Sequence, residues 1–131
     1  MFAFTNKHKM LFNNTVITSM MKFLMLVKYY HWSTDSYNRH VISDGFYTNI
    51  NVLIDRFVET YQGIAETVVP MGVKVDISFE SYTDQTFVSR LQMFLDYLTR
   101  IRKDMTHSEL LNIMDELSAE IQKTIYLSRF N

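Results

Sequence analysis

The sequence predicts an all-α protein, a four-helix bundle built as one domain. Three observations carry this. The 131 residues include one proline and three glycines, so helix breakers are scarce. Hydrophobic residues make up 47% and aromatics 15%, enough to bury one core and too apolar for disorder. Apolar residues also recur every three or four positions over stretches of helical length.

The chain starts with an arm, residues 1–13, ahead of a single domain over 14–131. Lys7, His8 and Lys9 are the arm's only basic cluster. Two lysines are too few to hold DNA by neutralising phosphates, and a net charge of −1 adds no drive, so no nucleic-acid partner is expected. The opening MFAFTNKHKM lacks signal-peptide architecture. The apolar run at 16–27 is interrupted by Lys22 and is too short to span a bilayer. The expectation is a cytoplasmic protein with no membrane partner. Zero cysteines exclude disulfides, thiolate metal sites and cysteine nucleophiles.

Asn13, Asn14 or Thr15 can cap the first helix, which runs to about Trp32. Val16, Ile17, Met20, Leu24, Val27 and Tyr30 or His31 form its inner side. Met20, Met21 and Met25 read as core filling rather than a metal-binding box. Ser33 to Asn38 is a turn rich in capping residues, with Asp35 a plain turn aspartate. The second helix runs from about Arg39 to Val69, ended by Pro70. Its apolar series is Ile42, Phe46, Ile50, Leu53, Phe57, Tyr61, Ile64 and Val68.

The period then changes. Val73, Val75, Ile77 and Phe79 alternate with Lys74, Asp76 and Ser78, a strand-like pattern. One strand needs a partner, so this extended segment is placed in a long crossover between the second and third helices, open to pairing with its own copy. The third helix opens near Thr83 or Asp84. Phe87, Leu91, Phe94, Leu98, Ile101 and Met105 form a bundle seam, and Arg100, Arg102 and Lys103 suit its C-terminal dipole. Thr106-His107-Ser108-Glu109 predicts a capping box for the fourth helix. Leu110, Met114, Leu117, Ile121 and Ile125 line its apolar face, with Asp115, Glu116 and Glu120 solvated and His107 at the surface. No repeat, phosphate loop or Ser-His-Asp order is present.

The candidate chemistry lies between His31 and Glu59. At about 100° per residue, His40, Asp44, Asp55 and Glu59 fall within an arc of roughly 100° on the second helix. His40 and Asp44 are one turn apart, as are Asp55 and Glu59, so each pair can converge on a metal. From Asp44 to Asp55, however, the helix rises about 16 Å. One ion with bonds near about 2 Å cannot span that distance. The alternatives are two poor half-sites, or a second antiparallel copy whose Asp55 and Glu59 meet His31, His40 and Asp44 of the first. A solvated polar face accounts for the same spacing. Trp32 is either a core aromatic or a neighbour of the metal pair.

His31-Trp32, then His40 with Asp44, then Asp55 with Glu59 resembles the signature of the Dps-like mini-ferritins, a branch of the ferritin-like superfamily. The resemblance is strongest over His31–Glu59 and weaker over Leu110–Phe130, which is similar to the family's last helix. Glu59-Thr60-Tyr61-Gln62-Gly63 also resembles small Dps-like proteins of viruses and phages. The sequence departs from the family in a shorter His31–His40 interval, in Gly45 just after Asp44, and in Thr60 where an arginine is common. The resemblance implies a ferritin-like four-helix bundle with a long B–C crossover. It implies an inter-subunit di-iron ferroxidase centre, with His31, His40 and Asp55 as terminal ligands and Asp44 and Glu59 near both irons. Trp32 would shield that site and absorb a stray oxidising equivalent. The implied function is Fe(II) binding, oxidation by peroxide or dioxygen, and iron storage under oxidative stress. The implied assembly is at least a two-fold homodimer, up to a closed shell, in the cytoplasm (the host's, for a viral protein). Zinc or manganese would satisfy the same donors without turnover. The alternative is a non-enzymatic helical homo-oligomeric structural or interaction protein, viral or otherwise, whose ligand cluster serves structure only.

Overall fold

Four helices carry the chain in a computed structural model that describes residues 15–69 and 71–130. They are α1 (Ile17–Ser33), α2 (Tyr37–Ala65), α3 (Phe87–Arg102) and α4 (Ser108–Leu127), with one short 3-10 turn at Phe79–Ser81. The direction of each helix follows from its side-chain partners. Phe23 stacks on Phe94 at 3.8 Å and Tyr30 on Phe87 at 4.1 Å, so α1 and α3 run antiparallel. Asn49 donates to Glu120 at 3.1 Å and Arg56 to Glu116 at 3.0 Å, which sets α2 against α4 in the same sense. With α1 and α2 joined by a tight turn, the order is up-down-down-up. Residues 66–69 and 71–86 therefore lie in one long crossover that starts α3 beside the start of α2.

The interior follows the helical periodicity. Phe87, Leu91, Phe94, Leu98, Ile101 and Met105 are all buried, as are Leu110, Met114, Leu117 and Ile121. On α2, Phe46, Ile50, Leu53, Phe57 and Tyr61 face them, and on α1 Val16, Ile17, Met20, Phe23, Leu24, Val27 and Tyr30. Of the three methionines expected in the core of α1, only Met20 lies there; Met21 and Met25 are about half exposed.

Several boundaries differ from the sequence reading. Ser36 caps α2 by accepting from the Arg39 N–H at 3.1 Å, so the helix starts two residues early. It ends at Ala65 rather than Val69, because Glu66 turns left-handed (φ 53°) and its N–H donates to the Gln62 carbonyl. Gln62 also takes the Thr67 N–H on that carbonyl at 3.2 Å and the Val69 N–H on its side chain at 2.9 Å. Gln62 thus closes the helix, and Val68 is left exposed. The expected extended strand of the crossover is absent: among the described residues no strand forms. Val73 and Val75 stay exposed, and Phe79 instead stacks on Tyr29 at 4.2 Å. A lone strand has no ladder partner in one chain, so the chain gains more by laying one aromatic on α1.

Thr83 and Thr86 exchange backbone-to-hydroxyl bonds of 2.9 and 3.3 Å, a reciprocal cap that leads into α3. The predicted box at α4 does not close. His107 stands at the cap with no side-chain cap bond, and Glu109 takes the Ser108 hydroxyl at 2.9 Å. Asp115 and Glu116 are exposed, as expected of a solvated face, and pair there with Arg102 and Arg56. The arm at 1–13, with Lys7, His8 and Lys9, lies outside the described residues, as do the cap candidate Asn14 and Pro70. Among the described residues no helix is long and apolar enough to cross a membrane.

Candidate metal centre

The turn between α1 and α2 brings His31 and His40 face to face. Their rings stack with centroids 3.9 Å apart and planes 20° apart. Each holds the other's main chain: His31 Nδ1 lies 2.8 Å from the His40 carbonyl, and His40 Nδ1 lies 2.8 Å from the His31 carbonyl. A carbonyl can only accept, so Nδ1 carries the proton on both rings. In the neutral imidazole the lone pair is then on Nε2 in both. In each case the carbonyl fixes the tautomer and the ring orientation, as hydrogen-bond partners also do behind metal-binding histidines.

Three neighbours complete the local site. Ser43, fully buried, sits 3.2 Å from His31 Nδ1 and donates to the His40 carbonyl at 3.2 Å. Asp44, one turn after His40 and exposed, places Oδ1 3.9 Å from His31 Nε2. That is too long for a hydrogen bond. It is only a little wider than the spacing of two ligands on one ion with bonds of about 2.1 Å. Trp32 is 67% exposed, which rules out the core-aromatic alternative. Lys28 lies over its ring at 5.5 Å and over Tyr47 of α2 at 4.9 Å, so the cation bridges the outer faces of α1 and α2.

Asp55 and Glu59 are exposed further along α2 and are not brought to the histidines within one chain. Asp55 lines a groove between α1 and α2 with Met21 and Val58. Among the described residues no group of three or more His, Asp or Glu side chains is arranged to hold a metal ion within one chain. His31, His40 and Asp44 are a candidate half-set that does not by itself form an ion site, and Asp55 and Glu59 lie apart on α2.

Sequence reasoning overlooked the residues that support this half-set. Ser43 is a polar residue in phase with the buried Phe46 and Ile50, a signal the apolar series could have shown. Beside it, Tyr30, Thr34 and Arg39 around the α1–α2 turn form a polar clasp with Asp84, 45 residues after Arg39. Tyr30 donates to Asp84 at 2.7 Å, Thr34 donates to the same oxygen, and Arg39 donates to the Tyr30 hydroxyl at 3.2 Å and to the Asp84 carbonyl at 3.3 Å. The Thr34 hydroxyl first, with Tyr30, the Asp35 N–H and Arg39, holds the Asp84 carboxyl below the usual carboxylate range despite some desolvation. Burial, reinforced by the carboxylate, pushes the Tyr30 phenol up, so it stays a donor.

No curated protein and no solved structure matches this chain. The model of DUF5856, a family of unknown function, matches residues 31–127. That match opens on His31 and takes in every candidate ligand, all of α2, the crossover, α3 and α4. The chain is therefore a member of this family of unknown function.

Proposed function

We propose that this protein is a Dps-like mini-ferritin that binds Fe(II) and oxidises it at a site shared by two copies of the chain. The observation that carries the proposal is the reciprocal histidine pair, whose two Nδ1–H groups are committed to carbonyls and whose two Nε2 lone pairs are available. The up-down-down-up order with one long crossover agrees with a ferritin-like bundle. His31 and His40 would take Fe(II), which accepts imidazole well, and Asp44 would offset its charge. Asp55 and Glu59 of the second copy would supply the remaining oxygens, hard donors that favour the ferric product. Two Fe(II) ions each lose one electron, and peroxide takes both and leaves as two hydroxides. Zinc or manganese at the same donors would give binding without turnover.

The test separates ligand loss from fold loss. An asparagine amide can stand where His Nδ1 stands and still donate to the carbonyl, but it offers nothing at Nε2. His40→Asn should therefore keep the fold and lose iron oxidation. Glu59→Gln should do the same from the other half of the site. In a refolded mixture, each mixed dimer has one site with both lesions and one whole site, so activity should return in part. If wild type oxidises iron faster than buffer but mixed dimers recover nothing, the site is not shared.

A second reading is a non-enzymatic homo-oligomer in which the histidines only fasten the turn. The exposed apolar residues Met21, Met25 and Trp32 favour it, because they offer a contact face that needs no metal. Equal ferric absorbance with and without protein, alongside a stable oligomer, would put this reading first.

A further inference from the structure

A second concave surface lies between α1 and α3, where the 3-10 turn closes one side. It has a volume of about 310 Å³. Phe94 of its floor is stacked flat on Phe23, and Tyr97 forms part of its wall. Three cations line it, Lys22, Arg90 and Arg100, and no carboxylate does. Three other cations of the molecule are ion-paired, Arg56 with Glu116, Arg102 with Asp115 and Lys123 with Glu120. Among the described residues these three have no ion pair. Arg90 is fixed in place, its Nε donating to the Ser81 carbonyl at 3.0 Å. Arg100 is braced over the Tyr97 ring at 5.9 Å. Glu80, the acidic residue of the 3-10 turn, lines a different groove with Tyr29 and Tyr30.

In a chain whose net charge is −1, three cations around one aromatic-lined groove with no carboxylate among its lining residues are a local excess of positive charge. Clefts of one sign with apolar walls concentrate ions of the opposite sign. The volume is at the small end of ligand pockets, room for one or two rings and too little for a polymer. We infer that this groove binds small organic anions with a flat apolar body, aryl phosphates or aryl carboxylates. The ring lies against Phe94 and Tyr97, and the anionic group meets Arg90 with Lys22 and Arg100 at the mouth. This is independent of the iron proposal, since neither histidine touches the groove.

The experiment is a calorimetric titration of the full chain with 1-naphthyl phosphate, 1-naphthoate, neutral 1-naphthol and inorganic phosphate. One or both naphthyl anions should bind saturably, and which of them does identifies the anionic group. 1-Naphthol and inorganic phosphate should each bind at least about tenfold more weakly, since each keeps only half of the recognition. Lys22→Gln and Arg100→Gln, which disturb no hydrogen bond described above, should each weaken the naphthyl anion roughly fivefold. Rising salt should weaken it in the wild type as well, a readout that needs no variant. Naphthol binding as tightly as the naphthyl anions, an affinity indifferent to both salt and the two substitutions, or no saturable binding by either anion would each overturn the inference.

Discussion

Asp84 shows how one residue ties distant parts of this chain. Its carboxylate takes the hydroxyls of Tyr30 and Thr34, 54 and 50 residues earlier, so it joins the start of α3 to the end of α1. Its folded pKa lies below the ordinary value, and the sign of the consequence follows. The contribution is fully present above the unfolded carboxylate pKa, roughly 4, and is lost as pH falls through the folded value. Urea midpoints of the wild type should therefore drop more steeply below about pH 4 than those of Asp84→Asn, while at neutral pH the variant should be the less stable. Parallel curves would mean the carboxylate is no better solvated in the fold than in the unfolded chain. The candidate residues of the proposed site could be named from the sequence because imidazole and carboxylate at i, i+4 spacing stand out there. The clasp was not, since Asp84 reaches Tyr30, Thr34 and Arg39 only once the crossover has returned the chain. The pairing of each histidine with the other's carbonyl was likewise hidden, because a main-chain acceptor leaves no mark in a sequence.

At the scale of elements, the buried seams of α3 and, up to Ile121, of α4 were readable in the sequence, because periodic burial is imposed by the helix itself, whereas at the end of α4 Thr124 is buried and Ile125 only partly so. The end of α2 was not. Proline is a visible breaker, but the helix yields earlier, where Glu66 adopts φ 53° and Gln62 gathers the freed N–H groups. A side chain in the left-handed region carries a steric cost that glycine avoids. Glu66→Gly should raise stability by about 0.5–1 kcal/mol, read as a higher urea midpoint with an unchanged slope. A loss of stability would mean that the Glu66 side chain makes a compensating contact. The crossover misled for a different reason. Alternation at Val73, Val75, Ile77 and Phe79 records which way side chains point in an extended chain, but a strand also needs a neighbour. Here only the last residues of the series reach the helices, with Phe79 on Tyr29.

For the whole molecule, the proposed shared site requires a second copy, and the outer face of α1 and α2 is where it would dock. Met21 and Met25 on α1 stand on the same side as Asp55 of α2, and Met21 shares a groove with it. Sedimentation of wild type at micromolar concentration should show a dimer or a larger assembly. Met25→Glu should shift it toward monomer while leaving helical content unchanged, since the residue is outside the core. A monomeric wild type that still loads metal would sink the shared-site proposal. The two ends of the bundle also differ. At one end the Asp84 clasp and the bond from Asn38 to the Phe130 carbonyl, 2.6 Å, draw all four helices together. At the other end α2 gives way to the exposed chain around Val68 and Val73. Opening fluctuations should begin at the loose end, so amide exchange should be slow around His31 and His40 and faster around Glu59. A site assembled from two antiparallel copies then joins a stiff half of one to a compliant half of the other. Its ligand geometry would be dictated by the histidines, with the distant carboxylates adapting, and metal capture would register most strongly as slowed exchange in the last turns of α2.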